Sequence, residues 1–421
     1  MTLKMSRMSK SLAPAMKLFG LALASTFLLV GCGGGGGGSS EQSTPTARIV
    51  AFGDSVTDSG TYGGKYIVNN TTPFGGGSNS IWVDSIAQAL GVDEVCPFFR
   101  HNETGDEYLA ASYAPTLACT NFAAGGARIN ALGATAAAAA GPQAAASPKS
   151  IPAQLITAAN VLTYSAQDTI LISAAGNDAG DLFSGLATLL AASDPTLVNA
   201  VLTSVASIDT PLIASTVQAA ITEEFADLDG RTQLKATLDG TLNGYVRLSA
   251  GYLAGLAGGL KEQVDSNLLE KGVEKVVILN MPNVLKTPAF QAFNAGAGLT
   301  DENAQLAEAV IGSLVGVFNV QLTSVFADDS RVFVYDFNAL GTEVLAGPTA
   351  LGFTNTAFPS CGLVEANQCS EQIALATVFA GVGPTADWET FAWADVGHPG
   401  ELVHDLMAQR LVAGMRERGW R

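Results

Sequence analysis

Short, continuously apolar runs recur along this chain, each separated from the next by a longer stretch with helical spacing. That alternation constrains the fold more than any other feature. The runs are Arg48-Ile49-Val50-Ala51-Phe52, Asp168-Thr169-Ile170-Leu171-Ile172-Ser173, Val273 to Met281 and Ser330 to Phe337, with a shorter one around Thr120-Asn121-Phe122. They are β-branched and apolar without strict alternation, as strands buried on both faces of a parallel sheet are. Helical patterns lie between and after them, at Ile81–Leu90, Gly251–Lys271, Asp301–Ala327 and Pro399–Arg418. Alternating β and α elements with buried strands predict an α/β fold, a three-layer α/β/α sandwich. Ligands in such sheets bind beyond the carboxyl ends of the strands, which directs attention to Ser55 and Asn177, each just past a predicted strand.

Two segments stand apart from this pattern. Residues 131–150 are alanine-rich and punctuated by Gly141, Pro142 and Pro148, and they read as a surface loop or a frayed helix. Residues 179–250 lie between two predicted core strands and carry apolar helical patterns at Leu182–Ala192, Pro195–Ile208 and Ile213–Phe225. They read as a helical insertion, either an extra layer over the core or a cap that shapes an apolar pocket.

A chain of 421 residues that is 48% hydrophobic has ample apolar surface for a large core, which excludes intrinsic disorder. The net charge of −17 argues against nucleic acid as a partner, because phosphate binding needs clustered Lys and Arg. Only three histidines are present, His101, His398 and His404, so chemistry that needs an imidazole has few candidates. His101 and His404 read as surface residues.

The N-terminus reads as an address label. Lys4, Arg7, Lys10 and Lys17 precede an apolar run from Leu18 to Val30, which is shorter than a membrane span and suits a secretory signal. The run ends in Leu29-Val30-Gly31-Cys32, which resembles a bacterial lipobox and implies diacylation of Cys32 after cleavage. With Gly33 following, the resemblance implies a lipid anchor in the cell envelope, at the outer membrane of a Gram-negative bacterium; the alternative is an ordinary signal peptide and a secreted protein. Residues 1–31 are then a signal peptide, 32–46 a Gly/Ser-rich tether and 47–421 the folded domain. The six glycines Gly33–Gly38 are not a phosphate loop, since no Gly-Lys-Ser/Thr follows them.

Four cysteines remain beyond Cys32, and an even number in an exported chain suggests disulfides. Cys96–Cys119 with Cys361–Cys369 is the simplest of three connectivities. No Cys-x-x-Cys and no histidine cluster is present, so no metal site is expected.

Ser55 stands in Phe52-Gly53-Asp54-Ser55-Val56-Thr57-Asp58, where a strand-to-helix turn would expose its hydroxyl. A serine hydroxyl is a poor nucleophile at neutral pH and needs a base. His398 is the one histidine in a suggestive context, with Asp395 three residues before it in Asp395-Val396-Gly397-His398-Pro399. That spacing lets one loop or helical turn place a carboxylate on one imidazole nitrogen and leave the other for the serine. Acyl transfer also needs donors for the oxyanion. Asn177 offers a side-chain amide beyond a strand, and Gly126, in Asn121-Phe122-Ala123-Ala124-Gly125-Gly126, an unshielded backbone amide.

Taken in chain order, Gly-Asp-Ser, Asn-x-Ala-x-x-Gly, Gly-Asn-Asp and Asp-x-x-His-Pro resemble the blocks of the GDSL, or SGNH, family of serine esterases and lipases, over roughly residues 47–410. Asn280-Met281-Pro282-Asn283 is similar to that family's fourth block. The resemblance implies a five-stranded parallel sheet between helices and a hydrolase of carboxylic esters that works through an acyl-enzyme. It implies Ser55 as nucleophile, His398 as base and Asp395 as orienting acid. Ser55, Gly126 and Asn177 would supply the oxyanion hole. It calls for no cofactor. Asp54, Asp58 and Asp178 read as residues that hold turns rather than as catalysts. Three departures stand out: Val56 replaces the usual leucine, Ala175 replaces the first glycine of Gly-x-Asn-Asp, and Gly125 competes with Gly126 for the second-block position. The 179–250 insertion is longer than in compact members and leans the substrate toward a longer acyl chain. A carbohydrate or peptidoglycan O-acetyl esterase, or a non-catalytic lipid- or glycan-binding envelope lipoprotein, are the alternatives.

Overall fold

The computed structural model describes residues 46–69, 80–93, 95–134, 137, 139–182, 242–296, 301–377 and 387–420. The apolar runs form a parallel sheet of four strands: β1 (Arg48–Phe52), β4 (Asp168–Ser173), β5 (Val276–Leu279) and β6 (Val332–Tyr335), in the order β1-β4-β5-β6. Arg48 pairs with Asp168, Ile170 with Val276 and Val276 with Val332. The fifth strand implied by the resemblance is reduced to isolated parallel bridges at one residue, Asn121, to Ala51 on the free side of β1 and to Pro97. The physical reason lies in the turns that bound the run. Cys119 N donates to Thr116 O before it and Ala127 N to Ala124 O after it, so only a few residues stay extended.

Side chains alternate across the sheet as a strand's period of two requires. Val50, Phe52, Ile170, Ile172, Val276 and Ile278 enter one core, with α2 (Ile151–Val161), α3 (Leu242–Asn267) and α5 (Asp301–Val325). Ile49, Ala51, Leu171, Val277 and Leu279 enter the other, with α1 (Trp82–Leu90), α6 (Phe337–Ala346) and α8 (Glu401–Glu417). This is the expected α/β/α layering. Every residue of β4 is buried, whereas β6, at the sheet edge, buries only Val332 fully. Two shorter helices, α4 (Pro288–Gly296) and α7 (Glu371–Ala376), flank the connections, and β2 (Phe99–His101) pairs antiparallel with β3 (Tyr113–Pro115).

The order of strands fixes where a ligand can sit. From β1 the chain passes to Asn121 on one side of the sheet, then returns to β4 on the other side of β1. The crevice at such a reversal, beyond the carboxyl ends of the strands, is where open α/β sheets bind ligands. Ser55 follows β1 and Asn177 follows β4, so the two flank this switch point.

Three expectations change. The 131–150 segment is not a surface loop: it forms 3-10 turns at Ala131–Gly133 and Gly141–Ala146, and Ala134, Ala137, Ala140 and Ala144 are buried with Tyr108. Alanines serve there because their small side chains let turns pack closely. Past β1 the chain makes one turn, Asp58 N donating to Asp54 O, and no helix continues from it. His404 is buried rather than at the surface, and His101 is half-buried between the rings of Tyr62 and Tyr113. The helical patterns at 182–192, 195–208 and 213–225 lie, save for Leu182, outside the described residues, as does Cys32.

Both disulfides pair as expected, Cys96 with Cys119 and Cys361 with Cys369.

Candidate active site

The turn after β1 is held from three sides. Gly53 adopts φ +131°, and a Cβ there would lie 2.3 Å from Ser173 O, so only glycine allows β1 and β4 to approach this closely. Its N–H donates to Gln154 Oε1 and its carbonyl accepts from Gln154 Nε2, both from α2. Asp54 Oδ1 accepts from Val56 N and from the Ser173 hydroxyl, which itself accepts from Thr57 Oγ1. Burial pushes the Asp54 carboxyl upward, opposed by these donors. The turn therefore presents Ser55 beyond the sheet, with its backbone fixed by residues that never reach the hydroxyl.

Ser55 Oγ lies 2.8 Å from His398 Nε2, and His398 Nδ1 lies 2.8 Å from Asp395 Oδ1 and 2.8 Å from Oδ2. Asp395 and His398 sit on a tight loop, not a helical turn, closed by Ala394 N donating to His398 O. Asp395 Oδ1 also accepts from the amides of Gly397 and His398, and Oδ2 from Ala366 N. Burial opposes ionisation of Asp395. The imidazole and the Gly397 and Ala366 amides outweigh it and hold the carboxyl below its ordinary value. Ala366 comes from the loop closed by Cys361–Cys369, and Cys361 N donates to Ala394 O beside the acid. Ala289 N, in the first turn of α4, donates to Val396 O, so α4 steadies the same loop.

A second turn is tied to the one after β1 by Ala124 N donating to Gly53 O; in it Ala127 N donates to Ala124 O, with Gly125 and Gly126 at the centre. The structure separates the two glycines. Gly125 N is taken by Asp58 Oδ2, whereas Gly126 N has no acceptor among the described residues. Gly126 has φ +73°, as the third residue of a type II turn requires. Asn177 Nδ2 donates one proton to Ala127 O at 3.1 Å and keeps a second. Asp178 accepts from Ile129 N and Asn130 N and is pushed up to about 6 by burial. Asp54, Asp58 and Asp178 thus hold turns through backbone amides, as their sequence context suggested. Ala175, the departure in the third block, takes φ +73° and is the one non-glycine residue with positive φ among those described. The alanine keeps the backbone glycine would adopt, at a cost of about 1–2 kcal/mol.

Sequence reasoning missed several neighbours. The Tyr66 ring packs against the His398 ring with centroids 4.7 Å apart, and no motif marks it. Lys149, buried beneath the 124–127 turn, lies in the segment read as a loop. Arg128 grips Asp181 with Nε and Nη2 and donates from Nη1 to Gly126 O. Its charge gave no signal, since a lone arginine is usually solvated.

A parallel-sheet sandwich thus places a serine, an imidazole and a carboxylate in hydrogen-bond sequence at its switch point, an arrangement suited to acyl transfer. The chain belongs to the GDSL-like lipase/acylhydrolase family, whose model matches residues 49–411, and it is accordingly a hydrolase of ester bonds. No curated protein matches the chain.

Proposed function

We propose that the protein cleaves carboxylic esters through an acyl-enzyme formed on Ser55. The observation that carries this reading is the unbroken chain from Ser55 Oγ through His398 to Asp395, with 2.8 Å at each link. His398 Nε2 takes the Ser55 proton as Oγ attacks the ester carbonyl. Asp395 holds Nδ1–H and stabilises the imidazolium that forms. The carbonyl oxygen, now an oxyanion, accepts from Ser55 N, Gly126 N and the second Nδ2 proton of Asn177. His398 then returns the proton to the leaving alcohol, and the C–O bond to that alcohol breaks. Water, deprotonated by the same imidazole, attacks the acyl-enzyme, releases the acid and restores Ser55.

The experiment is hydrolysis of p-nitrophenyl esters of graded chain length by wild type and Ser55→Ala. Wild type turns over, with preference for longer chains, and Ser55→Ala is inactive with an unchanged circular dichroism spectrum. Turnover by Ser55→Ala near the wild-type rate would overturn the assignment. We also propose that Cys32 carries a diacylglyceryl anchor, which would hold the domain in the envelope on the 32–46 tether. Cys32→Ser is expected to move the protein from the membrane pellet to the soluble fraction, and an unchanged distribution would contradict the anchor.

A further inference from the structure

Lys149 is 5% exposed yet takes no part in the relay. Burying an ammonium is costly unless it is paired and hydrogen-bonded, so its partners are informative. Nζ donates to Gly125 O at 2.6 Å and pairs with Glu107 Oε2 at 2.5 Å. It also lies 4.8 Å from the centre of the Tyr62 ring. Glu107 stands on the loop between β2 and β3 with its side chain exposed, so the pair runs from solvent to the underside of the turn.

Gly125 O and Gly126 N belong to one peptide unit, and a trans peptide points its carbonyl and its N–H in opposite directions. Turns closed as this one is differ chiefly in that central peptide: type I and type II are related by rotating it through about 180°. In the other orientation Gly126 N–H would point where Gly125 O now meets Lys149. With glycine at both central positions, nothing in the side chains selects one orientation, so the selection comes from outside the turn.

We propose that Lys149, anchored by Glu107, is a positioning residue for the oxyanion hole, pinning Gly125 O so that Gly126 N–H stays turned away from the lysine as an oxyanion donor. The inference rests on the reading of Gly126 given under Proposed function. A charged donor on the carbonyl also polarises the amide, which strengthens Gly126 N–H as a donor. A Cβ at Gly126 would sit 3.0 Å from Nζ, so the lysine packs directly under the glycine it orients.

The test is Lys149→Met, which keeps the stem and removes the ammonium. Losing one oxyanion donor outright typically costs about 100- to 1,000-fold in kcat. A donor that is mispositioned for part of the time is expected to cost about 10- to 100-fold. KM should stay within about twofold, because ground-state ester makes little use of the hole. Affinity for a trifluoromethyl ketone, which places an oxyanion in the hole, should fall by the same factor as kcat/KM. Glu107→Gln, at an exposed site, leaves the fold intact and should lower kcat about three- to tenfold in the same pattern. A folded Lys149→Met with kcat within twofold of wild type, or with unchanged ketone affinity, overturns the proposal. If Lys149→Met does not accumulate, Glu107→Gln decides, and kcat within twofold overturns it. Ser55→Ala, run alongside, separates the two failures. Activity in Ser55→Ala sinks the assignment of Ser55 as nucleophile and the site built around it, whereas an inactive Ser55→Ala beside a fully active Lys149→Met sinks only the role of the lysine.

Discussion

The two flanks of Ser55 are built in different ways. On the acid–base flank, a single carboxylate gathers three backbone amides and the imidazole, and the donor loop behind it is closed by the short Cys361–Cys369 link. On the flank proposed to hold the oxyanion, the 124–127 turn is steadied by charged side chains, two of them from distant parts of the chain, Asp58 and Lys149, and one, Arg128, from the residue that follows it. The loop bearing Glu107 is closed by Cys96–Cys119. The first flank is largely local, with Asp395 and His398 three residues apart on one tight loop and Ala366 bracing it from a second. The second is assembled over long sequence separations and exists only in the folded chain. Loss of the base on the acid–base flank should therefore cost more than loss of any one support of the other flank.

Removing the base tests the first half of that contrast most severely. His398→Ala is expected to lower kcat by about 10⁴-fold or more, and Asp395→Asn by roughly tenfold less, because the acid orients and stabilises without exchanging the proton. Steady-state kinetics on one ester measures both, and an equal or greater loss in Asp395→Asn would show that the acid does more than orient. The second half is tested by Asn177→Ala, expected to cost about 100- to 1,000-fold in kcat with little change in KM, since two donors remain. A loss as large as that of His398→Ala would end the distinction between the flanks.

The smallest effect concerns the floor beneath the acid–base flank. His404 Nδ1 accepts from Trp82 N, and burial, with His398 and Lys65 adding to it, holds the imidazole down to about 3. A free histidine titrates near 6.5, so below that pH the unfolded chain takes a proton that the folded one refuses. The stability from a neutral His404 is complete above about pH 6.5 and is lost as pH falls toward the folded value. The stability difference between wild type and His404→Asn should shrink by roughly 2 kcal/mol from pH 7 to pH 5 in urea unfolding. A difference independent of pH would mean that His404 titrates in the fold as it does in the unfolded chain.

The same contrast explains what could be read before the structure. Ser55, Asp395 and His398 are legible because each lies in a short motif whose spacing already satisfies its chemistry. Strands β1 and β4 are legible because continuous apolar runs leave little choice. Lys149 is not legible, since its role needs Gly125, Glu107 and Tyr62 to converge on it. His404 resembles a surface residue on an amphipathic helix until α1 packs over it and Trp82 supplies a donor. The fifth strand follows from resemblance alone, and the turns on either side of Asn121 cut the run down to isolated bridges. Ala175 departs from the family's glycine, yet it takes φ +73°, a conformation that favours glycine, with its side chain buried.

The relay itself is tested most directly by covalent labelling with a fluorophosphonate, with the modified residue located by peptide mass spectrometry. The account predicts a single adduct on Ser55 in wild type and its loss in His398→Ala, where the hydroxyl has no base. An adduct on another residue, or undiminished labelling of Ser55 without His398, would contradict it.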